Sequence, residues 1–406
     1  MELIGFDRIA AAREVLAPVV RRTPIVASRV LSERAGTEVL LKCENLQRTG
    51  SFKPRGAYFR IANLAPEERA AGVVAASAGN HGQGVAWAAA TLGLSSTVFM
   101  PIGAPLPKVV ATRAYGATVR QAGATVDETL LAAQDFAADT GATLIHPFDH
   151  PDIVAGQATV ALELLEQLPE VGTVLVPTGG GGLLAGIAAA LHPVAPQVRV
   201  IGVQAALAAA WPDSLRFGEP VALQRMSTIA DGIAVGRPGE VPFAHVIAHH
   251  PEIVTVDDDA LSEAVLVCLE RAKLVVEPAG AAGVAALLSC AADELALRGP
   301  VCAIVSGGNV DPILLTRILG HGLSAAGRYL VVRIVLSDRP GSLSALLDTI
   351  AGTEANVLDV VHARTAAELA IDEVEVLVTL ETRGAAHRDD VLEAIRGAKY
   401  TVRVHH

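Results

Sequence analysis

Aromatic residues are scarce in this 406-residue chain: eight Phe, four Tyr and two Trp make up 3% of it. Positive charge is short as well, with 32 Lys and Arg against 43 Asp and Glu and a formal net charge of -11. A surface of that sign repels phosphate backbones, and no interleaving of aromatic and basic residues offsets it, so no nucleic-acid partner is expected. Cysteine is sparse too. Cys43, Cys268, Cys290 and Cys302 have no metal-ligand spacing and read as small core residues in a reducing compartment, hence a cytoplasmic location. The start, Met1-Glu2-Leu3-Ile4, lacks a basic region leading into an apolar run, so no signal peptide is expected. One charge-free stretch, residues 82–107, is long enough to cross a bilayer, but Gly93, Ser95, Ser96 and Thr97 interrupt it. A helix ending at Gly93 and a strand at 97–100 before Pro101 account for it better than a membrane span.

What the chain has in quantity is aliphatic side chains. Hydrophobic residues make up 51% of it, mostly Ala, Val, Leu and Ile. With this length, two or three domains are expected, and the composition suits helices on both faces of a buried parallel sheet. Short apolar runs alternate with helical patterns. They include Val73-Val74-Ala75-Ala76, Val98-Phe99-Met100, Thr173-Val174-Leu175-Val176 and Val301-Cys302-Ala303-Ile304-Val305. This order predicts an α/β fold with sites at the C-terminal ends of the strands. Beyond about Ala326 the pattern becomes β-α-β-β-α-β, the ferredoxin-like split motif. No active-site constellation is visible there, so a regulatory, binding or dimerisation role is expected of it. His405 and His406 read as the stub of a purification tag.

Four segments carry chemistry. The first is Gly50-Ser51-Phe52-Lys53-Pro54-Arg55-Gly56-Ala57. A lysine in a desolvated pocket loses its proton more easily and can join an aldehyde cofactor such as pyridoxal phosphate. The second, Ser77-Ala78-Gly79-Asn80-His81-Gly82-Gln83-Gly84, lies between a strand and a helix, where backbone N–H groups can bind a carboxylate. The third is Thr178-Gly179-Gly180-Gly181-Gly182-Leu183, whose N–H groups can converge on a phosphate. It lacks the lysine of a nucleotide P-loop and does not match a full dinucleotide fingerprint, although a loose dinucleotide reading stays open. In the fourth, Ser306-Gly307-Gly308-Asn309, a hydroxyl at a strand end can face a pyridine nitrogen without forcing a proton onto it. Taken singly, each has a plain structural alternative: a solvated lysine, a helix cap at Asn80, a flexible turn, a strand-to-helix turn.

Together, in this order and spacing, the four segments resemble the threonine dehydratase (threonine ammonia-lyase) family of fold-type II pyridoxal phosphate enzymes. The resemblance, which also includes Glu44-Asn45-Leu46-Gln47, covers nearly the whole chain. It implies a catalytic domain of two open parallel-sheet subdomains over residues 1–325, the smaller roughly 50–150. Residues 326–406 look like an ACT domain, a regulatory module that binds amino acids, with Asp338, Arg339, Pro340, Gly341, Ser342 and Leu343 as the regulatory segment. By the same resemblance Lys53 holds pyridoxal 5'-phosphate as a Schiff base and Phe52 packs near its ring. Asn80 contacts the ring hydroxyl, Gly179, Gly180, Gly181, Gly182 and Leu183 hold the phosphate, and Ser306 meets the pyridine nitrogen. Ser77, Ala78, Gly79 and His81 line the substrate carboxylate site.

The implied reaction converts L-threonine to 2-oxobutanoate and ammonia, and L-serine to pyruvate. Lys53 takes the Cα proton, and the β-hydroxyl leaves with acid help from the cofactor phosphate. Two departures from relatives matter. Ala78 stands where related serine racemases have a serine that acts as the second base, so poor racemisation is expected. The run Gln204-Ala205-Ala206-Leu207-Ala208-Ala209-Ala210 offers no carboxylate where some relatives hold a cation, so no tight divalent metal site is expected. The partners implied are an amino-acid substrate, an amino-acid effector and further copies of the chain in a dimer or tetramer. The alternatives are a dehydratase of another β-hydroxy amino acid such as 3-hydroxyaspartate, a serine racemase-like enzyme, and an amino-acid sensor with a vestigial catalytic half.

Overall fold

A computed structural model of the chain describes residues 3–77, 79–290, 292–363 and 369–404. Ala78 therefore lies outside the described residues, as do Met1, Glu2, His405 and His406. The chain divides into two compact units, Met1–Leu315 and Thr316–His406.

The first unit holds two sheets. Strands β1 (Ile25–Ala27) and β2 (Val39–Lys42) precede β3 (Val73–Ala76), β4 (Ser96–Met100), β5 (Thr118–Gln121) and β6 (Thr143–Leu144). They are followed by β7 (Thr173–Pro177), β8 (Arg199–Ala205), β9 (Glu252–Val256) and β10 (Val301–Ile304). The smaller sheet has the order β5-β4-β3-β6 and is parallel throughout. The larger has the order β1-β2-β10-β7-β8-β9 and is parallel except for β1, which runs antiparallel to β2. That edge departs from the all-parallel expectation; three residues are too few for a strand period to show in sequence. Strands β3, β7 and β10 are buried along their whole length, as helices on both faces require. The charge-free stretch resolves into a helix, Asn80–Thr91, a turn at Gly93 and strand β4. No helix among the described residues is long and apolar enough to cross a membrane.

All four chemical segments follow strand ends of this unit. Ser77 follows β3, the glycine run follows β7, Ser306 follows β10, and Lys53 opens the helix Lys53–Ala62 after β2. Cys43, Cys268 and Cys302 are buried, and desolvation pushes their thiols up to about 11, 12 and 12.

The second unit contains β11 (Tyr329–Ser337), helix Ser342–Ala351, β12 (Asn356–Ala363), β13 (Glu373–Glu381), helix Ala385–Gly397 and β14 (Thr401–Val404). Its antiparallel sheet has the order β12-β13-β11-β14. Alternate residues of β11 and β13, among them Val332, Ile334, Val376 and Val378, are buried with Leu346, Ile350 and Ile395 of the helices. A cavity of ≈ 220 Å³ at the end of β11 is lined by Asp338, Arg339, Pro340, Ser342 and Leu343, with His362 from β12. Gly341 of the same segment does not line it.

Candidate active site

Lys53 is the first residue of its helix. Its Nζ donates to the carbonyl of Pro147 at 3.0 Å and lies 5.2 Å from the centre of the Phe52 ring. Burial lowers its pKa to about 8, and the Glu277 carboxylate opposes that shift. Gly84, on the Asn80 helix, lets the lysine sit close: a Cβ there would fall 3.3 Å from Lys53 Cβ. The first and second segments are thus in direct backbone contact.

The turn that receives Lys53 also meets the glycine run. A Cβ at Gly180 would fall 2.5 Å from the ring of Phe148, the residue after Pro147, and one at Gly181 would clash with Trp211. Two carbonyls of the run are tied behind. Trp211 Nε1 donates to Gly179 O at 2.8 Å, and Gly239 N donates to Gly180 O at 3.1 Å. In a trans peptide the N–H points opposite to the preceding C=O, so the N–H groups of Gly180 and Gly181 face away from those donors. The first α-helical bond that follows runs from Ala185 N to Gly181 O, so the N–H groups before it are those a helix start presents to an anion. Leu183 contributes backbone only, because its side chain lies in the core.

The second and fourth segments meet through amides. Asn80 Nδ2 donates to Glu277 Oε1 at 2.6 Å, and Asn309 Nδ2 donates to Asn80 Oδ1 at 2.7 Å and to Thr49 O at 2.6 Å. Ser306 is buried, and its carbonyl accepts from Phe52 N at 3.1 Å. Ser51 pairs with Gly307 in an isolated bridge, and its buried hydroxyl has no protein partner. The structure therefore brings all four segments together in one place.

Ser77 Oγ accepts from Gly79 N at 3.1 Å, shaping the loop ahead of the Asn80 helix. His81 Nε2 lies 2.7 Å from the carbonyl of Ile145. A carbonyl only accepts, so the proton sits on Nε2 and Nδ1 is the acceptor. Burial and the Lys53 charge push His81 down to about 3, so it works as a neutral imidazole.

Sequence reasoning missed three features. Glu277 is buried, and burial together with Asp231 pushes it up to about 7. Its signal was a lone carboxylate in the apolar Val275-Val276-Glu277-Pro278. Lys108, the first charge after the charge-free stretch, pairs with Asp231 at 2.6 Å. Beneath Lys53 lies a buried ion network. Arg55 Nε and Nη2 donate to both oxygens of Glu44 at 2.8 and 2.7 Å, and Nη2 also reaches Glu163 Oε2 at 2.9 Å. Lys42 Nζ donates to Glu163 Oε1 at 2.5 Å, to Gln167 Oε1 at 2.6 Å and to Thr23 O at 2.8 Å. Burial alone would raise Glu163, but Arg55 and Lys42 hold it below its ordinary value. Among the described residues, no group of three or more His, Cys, Asp or Glu is placed to hold a metal ion. Gln204 is used structurally, accepting from Trp211 N at 3.0 Å.

Comparison with known proteins fixes what this cleft belongs to. Residues 16–307 match the family described as pyridoxal-phosphate dependent enzyme. An L-threonine ammonia-lyase of Thermotoga maritima is 44% identical over 403 residues, covering 99% of this chain and 100% of its own. The chain belongs to the fold-type II pyridoxal-phosphate-dependent enzymes. Among solved structures, the processed form of threonine deaminase isoform 2 from Solanum lycopersicum is similar with a TM-score of 0.74 at 34% identity, covering 79% of this chain and 95% of its own. Maize serine racemase is similar with a TM-score of 0.74 at 35% identity, covering 80% of this chain and 99% of its own. The residues present fit the family's cofactor. A desolvated amine, a cradle with its carbonyls tied back and no room for a Cβ, and an unpartnered buried hydroxyl at Ser51 surround one cleft.

Proposed function

We propose that the protein deaminates L-threonine to 2-oxobutanoate and ammonia, and L-serine to pyruvate. The observation that carries this reading is Lys53: an amine near pKa 8 at the meeting point of all four segments. At pH 7 about a tenth of such amines are neutral, against about three in ten thousand at the ordinary lysine value. Relatives named for threonine deamination, one matched over its entire length, give the substrate class.

When bound, pyridoxal phosphate supplies an aldehyde that joins amines and a ring that withdraws electrons from the carbon beside the nitrogen. The protein does the rest. Lys53 Nζ would hold the cofactor, and the same amine is the base that would take the Cα proton. The N–H groups of Gly179, Gly180, Gly181, Gly182 and Leu183 would hold the phosphate, Phe52 would pack at the ring, and Ser306 would offer a hydroxyl rather than a carboxylate to the ring nitrogen. Asn80, fixed by Glu277 and Asn309, would meet the ring hydroxyl. Ser77, Gly79 and His81 receive the substrate carboxylate at a helix start, where partial positive charge favours it.

Residues 326–406 act in this proposal as an ACT-like regulatory domain, with the cavity beside Asp338 and Arg339 holding an amino-acid effector. Cation and anion side chains on one rim suit a zwitterion. The protein works in the cytoplasm as a dimer or tetramer.

The deciding experiment is a visible spectrum of the purified protein, then L-threonine with detection of the 2-oxo acid. A cofactor band with 2-oxobutanoate release supports the reading. A band without product turns it toward another hydroxy amino acid, and no band after added pyridoxal phosphate leaves the sensor. For the second unit, calorimetric titration of isoleucine and valine against wild type and Asp338→Ala should show binding only to wild type; no heat with either would remove the effector role.

A further inference from the structure

Lys108 and Asp231 form a pair across the cleft. Lys108 lies on the helix Leu106–Ala114, which follows β4 of the smaller sheet. Asp231 opens the short turn Asp231–Ile233 between β8 and β9 of the larger sheet. Their atoms are 2.6 Å apart, and the side chains are 15% and 58% exposed. The lysine side chain is the more sheltered of the two, unlike an ordinary lysine reaching out into water.

Two neighbours say what the shelter is for. Lys108 Nζ stands 4.0 Å from the position a Cβ would take at Gly79, in the loop that starts the Asn80 helix. That loop presents N–H groups with partial positive charge, and Lys108 is a full charge beside them. On the far side, Gly232 follows Asp231, and a Cβ there would fall 3.6 Å from Glu277 Oε1. The charged groups near Lys108 are therefore Asp231 and Glu277, and Glu277 also feels Lys53. A half-exposed carboxylate is a weak partner, since solvent screens it. A carboxylate docked on the helix start has the N–H groups and the ammonium together.

We propose that Lys108 is a substrate-binding residue whose ammonium leaves Asp231 for the substrate carboxylate at the Gly79–His81 loop. Asp231 is then a placeholder that competes with substrate for the same ammonium. This rests on the reading that the carboxylate docks at that loop. It also selects for amino acids with a free α-carboxylate over their amides and esters.

The test uses the cofactor-loaded protein and L-alanine, which has the amine and carboxylate of the substrate but no β-hydroxyl to lose. Its dissociation constant is read by calorimetry, beside KM and kcat for L-threonine. Lys108→Met should weaken L-alanine binding and raise KM roughly tenfold, the effect falling on KM rather than kcat. Lys108→Arg should keep the affinity within about threefold, because the charge and its reach remain. Asp231→Asn should shift binding the opposite way, tightening L-alanine about twofold or more, because it removes the competitor. A pair that only tied the two sheets together would weaken binding whichever partner was removed. Equal losses in both variants, or an unchanged L-alanine constant in Lys108→Met, would overturn the proposal. Should wild type bind L-alanine through Lys108 yet leave L-threonine intact, the carboxylate assignment stands and the deaminase reading falls.

Discussion

Lys42 and Lys53 are both withdrawn from solvent, and their surroundings differ in what meets the ammonium. Lys42 is fully buried and faces a carboxylate, a side-chain amide and a carbonyl, all within 2.8 Å. Lys53 has one carbonyl at 3.0 Å, and Glu277 acts on it only from a distance. Burial is common to both, so burial by itself does not make a reactive amine. The difference is direct contact with a counter-charge: Lys42 touches the Glu163 carboxylate, while Lys53 touches none and its desolvation is left largely uncompensated. The network at Lys42 holds helices and β2 together, and the cleft at Lys53 keeps its amine ready to lose a proton.

The largest effect should come from Lys53→Ala. Turnover of L-threonine should fall by at least about a thousandfold, and the visible cofactor band should vanish while the fold persists. Ordinary turnover in that variant would end the contrast. Lys42→Met is the mirror experiment. Removing one partner of the buried network should cost about 3–5 kcal/mol of unfolding free energy in urea, with the cofactor band retained in the folded fraction. A loss under about 1 kcal/mol would show that the network is not structural.

A pH series sharpens the comparison at Glu277. Its pKa is about 7 in the folded chain against an ordinary 4.5, so between those values the folded state binds more protons than the unfolded. Stability from this group is therefore fully present below pH 4.5 and is lost as pH rises through 7. Glu277→Gln should match wild type near pH 4.5 and exceed it at pH 8, by up to about 3 kcal/mol. A melting-temperature difference that does not change with pH would remove the burial argument. The smallest effect is expected at the cradle. In Gly180→Ala the added methyl meets the Phe148 ring at 2.5 Å, so the dissociation constant for pyridoxal phosphate should rise roughly tenfold. An unchanged constant would mean that the loop has more room than its packing shows.

Much of the cleft was legible in the sequence because glycine runs and strand-end polar segments have local causes. Gly179 to Gly182 stand out in any reading, and the strand before them and the helix after them follow from apolar spacing. Glu277 left only a faint local sign, one carboxylate in an apolar run, and Lys108 left none, because the partners of both are distant in sequence. Arg55 was in plain view inside the lysine segment, but its partners Glu44 and Glu163 are eleven and 108 positions away, and only the folded chain brings them together. Strand β1 escaped for a different reason: Ile25-Val26-Ala27 is too short for its period to be read, and its antiparallel pairing with β2 is a tertiary fact. The second unit showed its order plainly, because β11 and β13 each run long enough to alternate.

The hydrogen bond from Trp211 to Gly179 has a use beyond holding the loop. The chain has two tryptophans, Trp87 and Trp211, and Trp211 is fully buried with its indole N–H on the glycine run. With Trp87 replaced by Phe, the remaining indole becomes an intrinsic optical gauge of the cradle. Its fluorescence should report the arrival of a phosphate group there, whether or not any substrate follows.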